Sequence, residues 1–253
     1  MIIDAHAHLS PTDYGSIDLY VKHLEVAGIG HGVVVPGGML DVRKLTDYII
    51  GKEKPSKEPP NNQYLKEAIT QHPDKLTPFY CVNPREAQSV EEFEKAINDG
   101  FKGLKLSPMS HQFSFASQTV KELAELCGQY NVPLYTHTVF NPGASTKRLI
   151  SLAEEFKNTN FILGHMGFGP ADTEGVEAAL KMDHFFLETS QGSHLHIQET
   201  LKKIGASKII FGSEFPLSHP KLELQNILLL DATDDELDLM LGQNIQNLLG
   251  LQF

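Results

Sequence analysis

The chain has 253 residues, 41% hydrophobic and 21% charged, with only two cysteines. This is ordinary globular composition, with enough apolar material for one large core. The 21 Lys+Arg against 32 Asp+Glu leave a formal charge of −11, which argues against nucleic acid as a partner and leaves a small-molecule substrate as the expected one.

Cys81 and Cys127 read as reduced packing residues, because two thiols in a chain this long do not make a disulfide framework. The start MIIDAHAHLS lacks the basic and apolar regions of a signal peptide. No run approaches the roughly 18 apolar residues of a membrane span. The expectation is a cytoplasmic protein with no membrane contact.

In chain order, short β-rich runs are predicted at 2–8, 32–35, 76–82, 103–106, 132–137, 161–165, 184–188 and 208–212. VVV, FILG and IIFG within them are near-continuous apolar strings, as parallel strands covered on both faces require. Helix-period segments are predicted between them at 17–27, 62–72, 90–99, 117–130, 145–156, 173–181 and 194–204, with a last one at 234–249. Eight strands each followed by a helix predict a single-domain (β/α)8 TIM barrel. An open doubly wound sheet is the structural alternative. It would place a Gly-rich turn after the first strand, where this chain has HLSPTDYGS. The polar, Pro-rich insert GKEKPSKEPP at 51–60 reads as a solvated loop between the second strand and its helix.

Barrel enzymes carry their chemistry at the C-terminal ends of the strands. The first strand ends in DAHAH, and strict alternation places Asp4, His6 and His8 on one face, with Ala5 and Ala7 on the other. Lys105, His137, His165 and Glu214 stand where four further apolar runs stop. Imidazoles and a carboxylate converging there make a donor set for Zn2+ or a similar divalent ion. His111 and His219 follow the fourth and eighth strands and are candidate pocket residues, as are Asn83, Arg85 and Glu188. His194 and His196 open a helix, where positions i and i+2 diverge, so they are not expected to ligate.

DAHAH at 4–8, GFKGLKLSP at 100–108, VPLYTHT at 132–138, FILGHMG at 161–167, FGSEFP at 211–216 and GQNIQNLLGL at 242–251 together resemble the amidohydrolase superfamily. The closest branch is family 2, which includes enzymes similar to aminocarboxymuconate-semialdehyde decarboxylase. The resemblance implies a (β/α)8 barrel that binds a divalent metal, commonly zinc. The chemistry it implies is hydrolysis or non-oxidative C–C cleavage of small carbonyl or carboxylate compounds, with a homodimer as the expected assembly. By position it makes His6, His8 and His137 metal ligands, with His165 orienting or deprotonating the attacking water. The family's usual Asp on the eighth strand is Glu214 here, expected to ligate the metal or act as a base. One ion per chain is favoured over two, which assigns Lys105 to a substrate carboxylate instead of a metal bridge. His111 and Asn83 are the other expected substrate contacts, and Asp4 is expected to support a histidine from behind. Metal-assisted hydrolysis is the leading expectation; metal-dependent decarboxylation or hydration of an unsaturated or aromatic acid is the alternative.

Overall fold

Segments that are apolar on both faces must be covered on both faces, and here they become strands ringed by helices. The computed structural model describes residues 1–253. The first half runs β1 (Ile3–Leu9), α1 (Ile17–Ala27), β2 (His31–Pro36), α2 (Leu45–Ile49), α3 (Asn62–Gln71), β3 (Leu76–Pro78), β4 (Tyr80–Cys81), α4 (Ser89–Asn98), β5 (Leu104–Leu106), α5 (Pro108–His111) and α6 (Gln118–Tyr130). The second half runs β6 (Leu134–Thr136), α7 (Thr146–Glu155), β7 (Phe161–Leu163), α8 (Thr173–Lys181), β8 (Phe185–Glu188), α9 (His194–Ile204), β9 (Ile209–Ile210), α10 (Pro220–Leu228), α11 (Asp234–Asp238) and α12 (Asn244–Leu249).

The ladder order is β1-β2-β3 in one sheet and β4 through β9 in the other, with parallel neighbours. β3 and β4 are two halves of one strand. Phe79 between them donates its N–H to Val34 O at 2.9 Å, and the Tyr80 N–H reaches Gly103 O at 2.9 Å, so the strand changes neighbours without leaving the wall. The second seam closes the cylinder. Ala5 N–H donates to Phe211 O (3.0 Å), Glu214 N–H to His6 O (2.8 Å) and His8 N–H to Phe215 O (2.6 Å). Every edge is therefore paired, which gives the (β/α)8 barrel that the alternation predicts.

Inside the wall, Ile3, Ala5, Val33, Val35, Phe79, Tyr135, Ile162, Phe186 and Ile210 form a core of their own, sealed by Ile245, Leu248, Leu249 and Leu251 from the C-terminal segment. Outside it a larger cluster packs the strands' other faces against the helices. Local signals bound those helices where they should. Ser16 caps α1 by accepting from Leu19 N–H, and Gly28 ends it at φ 73.

The structure departs from the sequence reading in three places. The pairing of β1 with β2 advances from Asp4 to Ala7 while β2 advances only from Gly32 to Val34. That one-residue excess is a β-bulge, and it breaks the alternation: Ala5 joins the inner core, Ala7 the outer one, and Asp4 bonds Tyr20 on the helix side. The expectation that Asp4 shares the face of His6 and His8 is overturned. Second, α2, α5 and α10 lie in segments where the sequence reading places no helix. Third, the helix predicted over 234–249 holds, but a π-helical turn at Leu239–Gln243 divides it.

No helix is long and apolar enough to cross a membrane. Cys81 and Cys127 are free and buried; burial pushes the Cys81 thiol up to about 12, as suits packing residues. The insert at 51–60 is tied back to the loop after β2 by Ser56 N–H donating to Met39 O at 3.0 Å.

Candidate metal centre

The bulge in β1 and the turn after β9 together build the centre. His6 is fully buried, and its ring lies 4.8 Å from that of His8. Glu214 stands at φ 56, a left-handed conformation disfavoured for a residue with a side chain. His165 stands at φ 62. Such positions cost about 1–3 kcal/mol each and collect where a side chain must be aimed.

Glu214 Oε2 lies 2.7 Å from His6 Nδ1 and 3.9 Å from His165 Nε2, and its Oε1 lies 3.5 Å from His8 Nε2. His6, His8 and Glu214 each offer a donor atom, all within 4.8 Å of one another. The Glu214 Oε2 and the buried Nε2 of His137 have no hydrogen-bond partner. Buried polar atoms left unpaired cost about 1–3 kcal/mol each, and a cation among them removes that cost. The residues present fit a divalent ion. His137 stands one step back from the three-residue group, with its ring 6.0 Å from that of His165.

Burial pushes His8 down to about 3, against the pull of Glu214. Burial and Lys105 likewise hold His6 and His137 well below the ordinary imidazole range. Neutral imidazoles are the form that binds metals. Burial works to raise the Glu214 carboxyl, but the surrounding His8, His165 and Lys105 overcome it and leave it below its usual range.

Lys105 is fully buried, with its Nζ 3.0 Å from His6 Nε2 and 4.2 Å from the centre of the Tyr135 ring. Burial pushes its amine down to about 8. Asp4 accepts from the His6 and Ser213 N–H groups at 3.2 and 2.8 Å and from the Tyr20 hydroxyl at 2.8 Å. It supports the backbone of His6 rather than its ring.

The expected substrate contacts divide. Asn83 spends its amide on its own turn: Oδ1 accepts from Arg85 N–H at 3.1 Å and Nδ2 donates to Glu86 at 3.2 Å. His219 stacks on His23 at 4.1 Å and accepts from Lys221 N–H at the start of α10, so it too is used locally. His194 bonds Asn226 in place of any converging partner.

His111 keeps a buried, unpartnered Nδ1. Burial pushes His111 down from 6.5 to about 4, so the folded protein holds it neutral while the unfolded chain takes up a proton below its ordinary value. Its contribution to stability is therefore lost as pH falls from the unfolded value toward the folded one, by roughly 3 kcal/mol at most. Urea unfolding across that window is expected to show a shallower acid loss for His111→Gln than for wild type; parallel profiles would remove His111 from the acid response.

Sequence reasoning missed Tyr135, which is fully buried in the centre, its hydroxyl donating to Glu188 Oε2 at 2.6 Å. It sits on β6, two residues before His137, so inward alternation was the available signal. Burial beside Glu188 holds its hydroxyl protonated, well above the ordinary phenol range. A second missed feature is an aromatic pair: Phe140 is 88% exposed and Phe168 48%, with rings 6.0 Å apart. Each lies three residues beyond a centre histidine. Their loops are tied by the Thr146 hydroxyl donating to Asp172 at 2.5 Å and Phe168 N–H donating to Asp172 at 2.9 Å. A Cβ on Gly167 would overlap Asp172, so this tie requires glycine there.

The chain superposes on solved barrels at low sequence identity. A TIM-barrel protein from Bordetella bronchiseptica matches at TM-score 0.79 and 14% identity over 98% of both chains. A probable 2-pyrone-4,6-dicarboxylic acid hydrolase from Acinetobacter baumannii, solved with citric acid, matches at 0.70 and 18% over 99% of both. A dihydroxybenzoic acid decarboxylase from Polaromonas, solved with manganese and 2-nitroresorcinol, matches at 0.70 and 15%, covering 99% of this chain and 97% of that one. No functionally curated protein matches the sequence. The sequence model of the amidohydrolase family fits residues 3–251, nearly end to end, and with the site geometry above it places this chain in the amidohydrolase family.

Proposed function

We propose that this chain is a metal-dependent hydrolase of a small carbonyl, amide or ester compound. The observation that carries the reading is the convergence of His6, His8 and Glu214 within 4.8 Å, with the unpartnered Nε2 of His137 behind them. These residues hold one divalent ion, for which a nitrogen-rich set with one carboxylate suits zinc. A bound divalent ion supplies Lewis acidity toward a carbonyl and toward water. His165 Nδ1 faces the Ser190 carbonyl at 3.2 Å, and a carbonyl can only accept, so Nδ1 carries the hydrogen. The free Nε2 of His165, on the Glu214 side, accepts the proton of the attacking water. Lys105 offers its ammonium to a substrate carboxylate.

The second reading is non-oxidative decarboxylation of an aromatic or unsaturated acid. The Phe140–Phe168 pair beside the centre supports it, because exposed rings on pinned loops suit a planar apolar substrate. The decarboxylase among the structural relatives adds to it.

The experiment is chelation and reconstitution, read on a panel of esters, amides, lactones and aryl acids. Turnover is expected to vanish on chelation and return with stoichiometric Zn2+ or Mn2+. Undiminished turnover by metal-free protein would sink the reading. Release of CO2 with no hydrolytic product selects decarboxylation.

A further inference from the structure

We propose that Glu188 is a positioning residue that directs the Tyr135 hydroxyl, and through it sets the tautomer of His6, while it fastens Ser190 and the His165 backbone beside it. Glu188 is fully buried. Its Oε2 accepts from the Tyr135 hydroxyl (2.6 Å), the Ser190 hydroxyl (2.9 Å) and the His165 N–H (3.2 Å), and its Oε1 accepts from the Ser190 N–H (2.6 Å). Both carboxylate oxygens are thereby engaged, Oε2 by three donors and Oε1 by one.

The consequence follows proton by proton. Tyr135 has one hydroxyl hydrogen, and Glu188 takes it. The Tyr135 oxygen is then an acceptor toward His6 Nδ1, 2.6 Å away, with Glu214 Oε2 2.7 Å from the same nitrogen, so Nδ1 carries the imidazole hydrogen and Nε2 the lone pair. The other side of the ring agrees, because Lys105 Nζ, a donor, faces Nε2 at 3.0 Å. On the second arm the Ser190 hydrogen also goes to Glu188. The Ser190 Oγ and carbonyl oxygen both face His165 Nδ1, at 3.0 and 3.2 Å, and fix its hydrogen there. Nε2 is thus the lone-pair nitrogen on both histidines, on His165 through the Ser190 carbonyl and on His6 through the Tyr135 hydroxyl that Glu188 directs.

His6, His165 and Glu188 also each offer a donor atom within 4.8 Å of the others, as a cation site would. The hydrogen bonds decide against that use, since a cation on Glu188 would have to break them. The wall is shaped for the hub instead: a Cβ on Gly212 would overlap the Glu188 carboxylate, and one on Gly164 would overlap the Tyr135 hydroxyl.

What the two free nitrogens serve rests on the proposed metal reading; the tautomers do not, so the two can fail separately. The test is long-range 1H–15N correlation on metal-free, 15N-labelled protein, followed by Zn2+ titration. In a Glu214→Ala background, which removes the other acceptor beside His6 Nδ1, Tyr135→Phe and Glu188→Gln are each expected to weaken the Nδ1–H tautomer of His6 and to leave His165 unchanged, its Nδ1–H being held by the Ser190 carbonyl. Zn2+ affinity is expected to fall about tenfold or more in Tyr135→Phe. Unchanged His6 in Tyr135→Phe in that background, or a His165 that responds with it, overturns the proposal, and this variant stands even where Glu188→Gln does not fold. Tautomers that shift as expected in a protein that binds no Zn2+ uphold the positioning role and count against the metal reading.

Discussion

Glu214→Gln is expected to lower divalent-metal affinity at least tenfold and turnover by about a thousandfold, the several kcal/mol that an ion and its ligand charge supply. Glu214 is the residue on which the centre converges, with contacts to His6, His8 and His165 through one carboxylate. Glutamine keeps the length and the left-handed backbone at this position and removes only the charge. In the metal-free state the charge also favours the fold, because its surroundings leave the carboxyl below its usual range, so metal-free Glu214→Gln is expected to unfold at a lower temperature than metal-free wild type. Calorimetry of both proteins with and without Zn2+ reads the two effects together. A variant that binds Zn2+ as tightly as wild type would show that Glu214 is not a ligand. Glu214→Asp adds a length test: it restores the residue usual in the wider family but withdraws the carboxylate by one methylene from a backbone placed for Glu.

The barrel was legible because its strands are nearly continuous apolar strings, a pattern that tolerates errors of a residue or two at each end. The histidines and Glu214 were legible because each stands where such a string stops. What escaped depends on partners distant in sequence. The bulge in β1 arises because one strand must register with β2 on one side and with residues 211–215 on the other, and DAHAH carries no sign of that demand. Tyr135 reads as a core aromatic until its bond to Glu188, 53 residues away, is seen. The helix at 220–228 escaped because Leu222 and Leu228 stand on its exposed side, which blurs the helical period that burial of Leu224 and Ile227 reveals. Asn83 was placed by its strand-end position alone. Position could not show that a three-residue turn would claim its amide.

The largest expected loss of stability lies behind the centre, at Asp4. Its carboxylate accepts from the N–H groups of His6 and Ser213 and from the hydroxyls of Tyr20 and Ser213, all buried. Those donors belong to β1, α1 and the turn after β9, so one side chain fastens the seam where the barrel closes. Burial pushes the Asp4 carboxyl up to about 7, against the four hydrogen bonds that pull it down, so the site is costly to occupy and costlier to empty. Alanine removes every acceptor at once and leaves buried donors unpaired, each worth about 1–3 kcal/mol, for a total on the order of 4 kcal/mol. Asparagine keeps one acceptor oxygen but turns an NH2 toward hydrogens that need an oxygen, so it is expected to recover less than half of that loss. Urea unfolding of Asp4→Ala, Asp4→Asn and wild type should rank them in that order. Because Ser213 precedes Glu214, the same variants are expected to weaken Zn2+ binding even where the fold survives. An Asp4→Ala protein as stable as wild type would mean that the seam is held by its backbone ladder alone, and the aim of Glu214 would then need another support.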